Sequence, residues 1–406
     1  MSRVFLFSNV AALCLLALRP LAVGADAASL NATFGASFWA DDNLWDDVDS
    51  EAAQRLGWRP ESRTQEDSSF REYAGPNARI LGARPFSLAL YGRNGRVEQI
   101  SMVFANKGDI GGDFVAGDAY KKQIAADAKE ISQVLSAELG PPKIAQFGQG
   151  VKTRERVERW DWNGHAILLA APRGEYVAVR ILPVAVADGE VAARVTDAAL
   201  REKLKTRVEH RPNGDVILKE IPMVDQGPKG YCVPATWERA LRYLGIPADM
   251  YVLAMAGQTE AGGGTNLSAM AAGAGELVRR NGRRLVTTSG RITVRPVAGF
   301  IDVGLPVMWG MYVVPGINRD LTTRSVERRQ VTDWAAYTQA LKPLRKIGDR
   351  IRSDTQGGHM CMIIGYNAAT GEIAISDSWG PQFAERWITV EEANAISQRE
   401  FTVVNW

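Results

Sequence analysis

Cysteine and histidine are scarce in this chain. Its 406 residues include three cysteines (Cys14, Cys232, Cys361) and three histidines (His165, His210, His359). No Cys/His spacing repeats as a structural zinc site requires, so no metal is expected. A surplus of one charge is also missing. Removing residues 1–25, which carry Arg3 and Arg19 and no acid, leaves 46 basic against 46 acidic residues. That balance argues against a nucleic-acid partner, which demands a basic excess or stripe. Beyond the N-terminus no segment is long and apolar enough to cross a bilayer. The glycine-rich run Glu260-Ala261-Gly262-Gly263-Gly264-Thr265-Asn266 lacks a following Lys-Ser/Thr, so it is not a phosphate loop.

The N-terminus reads as a secretory signal. Arg3 supplies the basic start, and Val4 to Leu18 supplies an apolar run of about 15 residues, short of the ~20 needed to span. Small residues around Val23-Gly24-Ala25 permit cleavage after Ala25. The expected product is an exported protein, secreted or periplasmic, with no integral span once the signal is gone. It keeps Cys232 and Cys361 only.

The length suggests two domains. Residues 26–200 read as a small α+β domain. A helix is expected near Asp49 to Leu56, and residues 59–78 read as a polar loop. Alternation on either side of Asn94-Gly95 predicts a hairpin. Ile124, Ala128, Ile131, Leu135 and Leu139 mark a helix over 118–139, stopped by Gly140-Pro141-Pro142. Strands are expected at 155–162, 165–171 and 176–182. His165 has no clear acidic partner and reads as structural or exposed. This half shows no catalytic constellation; it suits a pro-segment, a binding module or a permanent scaffold. Residues 201–219 read as the connection.

The second half carries the chemistry. Cys232 lies in Gly230-Tyr231-Cys232-Val233-Pro234-Ala235-Thr236-Trp237. Val233-Pro234 fits a first helical turn, where proline loses no needed donor. Trp237, Ala240, Leu241 and Leu244 recur at helical spacing, and Gly245 ends the run. Cys232 therefore opens a helix, whose positive end favours a thiolate. A further helix is expected from Leu267 to Arg280. Residues 315–358 read as an insertion with a helix over 333–347, and Arg324, Arg328 and Arg329 read as a solvated basic face.

Gln226 stands six residues before Cys232. His359 follows in Gly357-Gly358-His359-Met360-Cys361, and Asp377 in Ser376-Asp377-Ser378-Trp379-Gly380. With Gly304-Leu305-Pro306-Val307-Met308-Trp309, these elements resemble the papain-like cysteine peptidases, in the bacterial C39-like branch, over residues 220–406. The resemblance implies an α+β peptidase domain. It implies Cys232 as nucleophile, His359 as acid and base, Asp377 as the group that orients His359, and Gln226 as an oxyanion donor. Papain has asparagine where Asp377 stands; the C39-like branch has aspartate. Gly263 and Gly264 become cleft-rim residues by this resemblance, although the residues themselves equally allow a flexible connector with a helix cap, and Trp379 becomes a cleft residue that shields the His359–Asp377 bond.

The expected activity is thiol-dependent endopeptidase action on a peptide or protein, with no cofactor. A thiol acyl-transfer enzyme such as an amidase or transglutaminase-like protein is the first alternative. A catalytically silent binding or scaffold protein is the second. A Cys232–Cys361 disulfide would destroy the nucleophile, so none is expected in the active form. Cys361, two residues beyond His359 on a strand, shares its face.

Overall fold

A computed structural model describes residues 24–108, 119–189, 195–228, 230–346 and 356–406. Most of the expected signal, residues 1–23, lies outside the described residues. Twelve α-helices and sixteen strands in two sheets are present among the described residues, so the class is α+β.

The first sheet holds β1 (Arg59–Arg63), β2 (Asp67–Tyr73), β3 (Ser87–Arg93), β4 (Arg96–Asn106), β5 (Lys143–Phe147), β6 (Glu155–Trp162), β7 (His165–Ala170) and β8 (Tyr176–Pro183). They run antiparallel in the order β1-β2-β3-β4-β8-β7-β6-β5. Asn94 and Gly95, both at positive φ, make the expected tight turn between β3 and β4. Three helices serve one face: α1 (Ala27–Phe34), α2 (Asp49–Leu56) and α3 (Ala119–Leu139). Ile100, Met102 and Phe104 of β4 and Val177, Val179 and Ile181 of β8 meet Ile131 and Leu135 of α3 in one core.

The strand period of two sends the alternate residues to the other face. Val103, Tyr176 and Ala178 there join Val224, Tyr231, Ala235, Met250, Tyr251 and Ala254 from the second half in a shared apolar cluster. The sheet is thus covered on both sides, once by its own helices and once by the rest of the chain.

Residues 59–78 depart from the polar loop expected of them: they contain β1 and β2. Glu61, Ser68, Ser69 and Arg71 are buried, while Arg59, Arg63, Gln65 and Glu66 stay exposed. Glu61 accepts hydrogen bonds from Arg71 Nε at 2.6 Å and Ser69 Oγ at 2.8 Å. Local hydrophobicity could not reveal strands whose buried side chains are satisfied by one another. His165 is structural and wholly buried: Nε2 accepts from the Leu44 amide and Nδ1 donates to the Trp162 carbonyl, while burial holds its pKa down.

Two helices follow, α4 (Val184–Ala187) and α5 (Asp197–Lys205). The second sheet then holds β9 (Val208–His210), β10 (Asp215–Leu218), β11 (Arg284–Ser289), β12 (Val307–Val313), β13 (Gln356–Asn367), β14 (Glu372–Ser376), β15 (Arg386–Thr389) and β16 (Ser397–Asn405). Its order is β11-β16-β12-β13-β10-β9, with β14 also pairing β13 and β15 pairing β14. Its helices are α6 (Cys232–Tyr243), α7 (Met250–Ala256), α8 (Leu267–Arg280), α9 (Val294–Ile301), α10 (Pro315–Arg328), α11 (Trp334–Ala340) and α12 (Val390–Ile396). The segment read as an insertion before His359 supplies α10 and α11. Of its basic run only Arg329 is exposed as expected: Arg328 is buried, bound to Asp215 and Glu372, and half-buried Arg324 pairs with Glu392. Sequence spacing cannot show that the acids come from three distant strands and helices.

α6 is buried on nearly every side, because it packs on β13 and also faces the first sheet. A helix covered all round should be apolar, yet α6 carries Glu238, Arg239 and Arg242. Each is matched. Glu238 accepts from the Met250 amide at 2.8 Å and pairs with Arg242 at 3.3 Å. Arg239 donates to the Pro222 carbonyl at 2.8 Å and to Ser376 Oγ at 2.5 Å. These bonds tie the helix that carries Cys232 to the strand that ends one residue before Asp377.

Candidate active site

Three sequence-distant residues meet at the crossing of α6, β13 and the end of β14. Cys232 is the first residue of α6, with no side-chain cap before it. The four unpaired amides of a helix start leave partial positive charge near the sulfur. His359 projects from β13 opposite Met311 of β12. Asp377 directly follows β14, its amide held by the Phe383 carbonyl at 3.0 Å.

His359 Nε2 lies 2.9 Å from Asp377 Oδ1. Cys232 is the other neighbour that acts on the imidazole, each shifting the other's titration. Trp379 stacks on His359, with ring centroids 4.4 Å apart and an interplanar angle of 26°. Cys232 keeps 9% of its surface, His359 5% and Asp377 none. In so dry a setting charge–charge terms are strong.

The electrostatics are mutually consistent. Burial pushes the Cys232 thiol up, but the hydrogen bond and charge of His359, with backbone donors at Met360 and Val233, outweigh it, and the net direction is down. Burial pushes His359 down, but its bonds to Asp377 and Cys232 reverse that and raise it to about 9. Burial pushes Asp377 up, and His359 and Arg386 bring it below the usual carboxylate range. Both shifts favour a thiolate beside an imidazolium.

Gln226 is brought to the same place. Its amide donates to the Ser378 carbonyl at 2.8 Å, so the segment before Cys232 is stitched to the segment after Asp377. Its side-chain oxygen is buried and has no hydrogen-bond partner among the described residues. A buried orphan acceptor costs about 1–3 kcal/mol, which makes Gln226 a poor choice for packing alone.

The glycine loop sits beside the cysteine loop. Gly264 N donates to the Gly230 carbonyl at 3.3 Å. A Cβ on Gly263 would fall 2.3 Å from the Gly230 Cα, so only glycine fits there. Gly264, in contrast, has open space around its Cα and stays exposed. Cys361 is fully buried, and burial raises its thiol well above the ordinary range, so it is inert packing. Cys232 and Cys361 are both free. Among the described residues no cluster of three or more His, Cys, Asp or Glu could hold a metal ion.

One functional neighbour was not singled out in the sequence. Arg386, fully buried on β15, donates to Asp377 Oδ2 from Nη2 at 2.5 Å and from Nε at 3.2 Å. Its Nη1 donates to Asn318 Oδ1 at 2.7 Å and Thr322 Oγ1 at 3.0 Å, both on α10. No spacing rule links residue 386 to residue 377. Only the β14–β15 pairing does.

No curated protein matches the chain. Residues 218–403 match the model described as the Peptidase_C39 like family. That span contains Gln226, Cys232, His359 and Asp377, and a C39-like domain thus occupies the C-terminal half of this chain.

Proposed function

We propose that this protein is an exported cysteine endopeptidase in which Cys232, His359 and Asp377 form the triad. The observation that carries the reading is that Cys232, at the start of α6, and Asp377, just after β14, flank the imidazole of His359, whose Nε2 lies 2.9 Å from Asp377 Oδ1, with the Cys232 thiol shifted downward. A packing cysteine would instead be pushed up by burial, as Cys361 is.

The thiolate sulfur attacks the carbonyl carbon of a peptide bond, and the carbonyl π pair moves onto oxygen. The Gln226 side-chain amide and the Cys232 backbone N–H receive that charge. His359 then gives its proton to the departing amine, and the C–N bond breaks to leave a thioester on Cys232. Water, deprotonated by His359, attacks the thioester and frees the acid and the thiolate. Asp377 keeps the imidazole oriented and stabilises its cation throughout. Gly263, Gly264 and Trp379 border the cleft. Export rests on the apolar N-terminal stretch with its small-residue cleavage site.

Full-length protein and its Cys232→Ala variant, incubated under reducing conditions with a diverse peptide mixture, test the reading by mass spectrometry. Cleavage by the wild type and none by the variant is expected, with both equally folded. Equal cleavage by the two would sink it. Products carrying an added amine in place of water would assign the same triad to acyl transfer.

A further inference from the structure

The first half of the chain grips the loop between Gln226 and Cys232 at both ends. At the front, Tyr73 Oη donates to the Asp225 carbonyl at 2.7 Å, and the Asp225 amide donates to Glu61 Oε1, also at 2.7 Å. Both peptide groups of the residue before Gln226 are therefore held by side chains of β1 and β2. The grip is firm, because Glu61 is itself locked by buried Arg71 and Ser69. The Tyr73 side chain also packs on Gly227, where a Cβ would come 2.9 Å from its Cε1, Cζ and Oη and where φ is +76°.

At the back, Tyr231, the residue before Cys232, donates from Oη to Asn106 Oδ1 at 2.8 Å and accepts from the Gly108 amide at 3.0 Å. Its ring is buried in the apolar cluster shared with Val103, Tyr176 and Ala178. The glycine loop is held too, since Gly262 donates to the Lys107 carbonyl at 3.1 Å.

We propose that Tyr73 and Glu61 are positioning residues for the oxyanion donor Gln226, and that the N-terminal domain is a permanent part of the working enzyme rather than a pro-segment removed on activation. The role given to Gln226 rests on the peptidase reading; the grip itself does not. An amide that must meet a developing oxyanion within a fraction of an ångström gains most from a fixed backbone. Gly227 and Gly230, both at positive φ, lack the side chains that would restrict their own backbone. Glu61, buried on β1, and Tyr73 of β2 supply the rigidity from outside.

Tyr73→Phe tests this, because it deletes one hydroxyl and keeps the ring that packs on Gly227. In the full chain, kcat should fall about 10- to 100-fold with KM changed less than about threefold. The pH limits of the rate and the alkylation rate of Cys232 should stay as in the wild type, since His359 and the helix start set the thiolate. In a Gln226→Ala background the same substitution should change kcat less than about twofold. Amide hydrogen exchange at Gln226 and Gly227 should quicken about tenfold or more, with global unfolding unchanged. An equal loss with and without Gln226, or unchanged exchange, overturns the proposal. So does a fully active processed form lacking residues 26–183. If wild-type protein cleaves nothing, the peptidase reading fails, and the exchange measurement alone decides whether the grip exists.

Discussion

Asp377 is shared between two cations: Oδ1 faces His359 Nε2 at 2.9 Å and Oδ2 faces Arg386 Nη2 at 2.5 Å. One carboxylate thus orients a titrating imidazole while a permanent guanidinium fixes the carboxylate. Arg386 is in turn held by Asn318 and Thr322 of α10. The segment inserted before His359 therefore supports Asp377 from behind.

Removing one partner of a buried pair leaves the other uncompensated, at a cost of about 3–5 kcal/mol. Arg386→Met should lower the unfolding free energy by that amount in denaturant titration. Arg386→Met combined with Asp377→Asn should recover at least half of the loss. A single-variant change below about 1 kcal/mol would show that Arg386 does not hold Asp377.

The rate should depend on pH as a bell. It rises as the depressed Cys232 thiol ionises and falls as His359 loses its proton near pH 9. Asp377→Asn removes the carboxylate that stabilises the imidazolium, so His359 titrates lower and, with its cationic neighbour weakened, Cys232 titrates higher. The window should narrow from both sides. The Arg386 charge, no longer neutralised, disfavours the imidazolium further, so the loss should exceed what reorientation alone would cause. Rate profiles and alkylation rates across pH check this; identical profiles for variant and wild type would remove Asp377 from the triad.

Gln226→Ala should lower kcat by roughly 10²–10³, the usual effect of one oxyanion donor. KM should move far less, because the donor acts on charge present only in the transition state. Steady-state kinetics with one cleaved peptide decide it: a raised KM at unchanged kcat would give Gln226 a binding role instead. The fold should be at least as stable, since an orphan buried oxygen is removed.

Glu238 lies in the buried seam between the two sheets, and burial raises it to about 7 against the pull of Arg242. A carboxyl with a raised folded pKa is protonated in both states below about pH 4. As pH climbs from there to 7 the unfolded chain ionises first, so stability falls over that window and levels off above it. The fall should be roughly 3 kcal/mol, from about 2.5 units at 1.36 kcal/mol per unit. Glu238→Gln should flatten it. Denaturation midpoints from pH 4 to 8 test the sign, and a stability that rises over this range in the wild type alone would refute it.

The local signals in this sequence determined the helix that begins at Cys232, the helix 267–280, the hairpin at Asn94-Gly95 and the order Gln226, Cys232, His359, Asp377. Each is written in short-range terms: periodicity, a breaker, a turn pair, or a family's residue order. The tertiary structure alone decided that Arg59–Arg63 and Asp67–Tyr73 are strands, that Arg328 is buried, and that Arg386 sits behind Asp377. The reason is common to all three. Buried polar side chains are stabilised by partners far away in sequence, so their own segments look solvated until folding brings Glu61 to Arg71, Asp215 to Arg328 and Asp377 to Arg386.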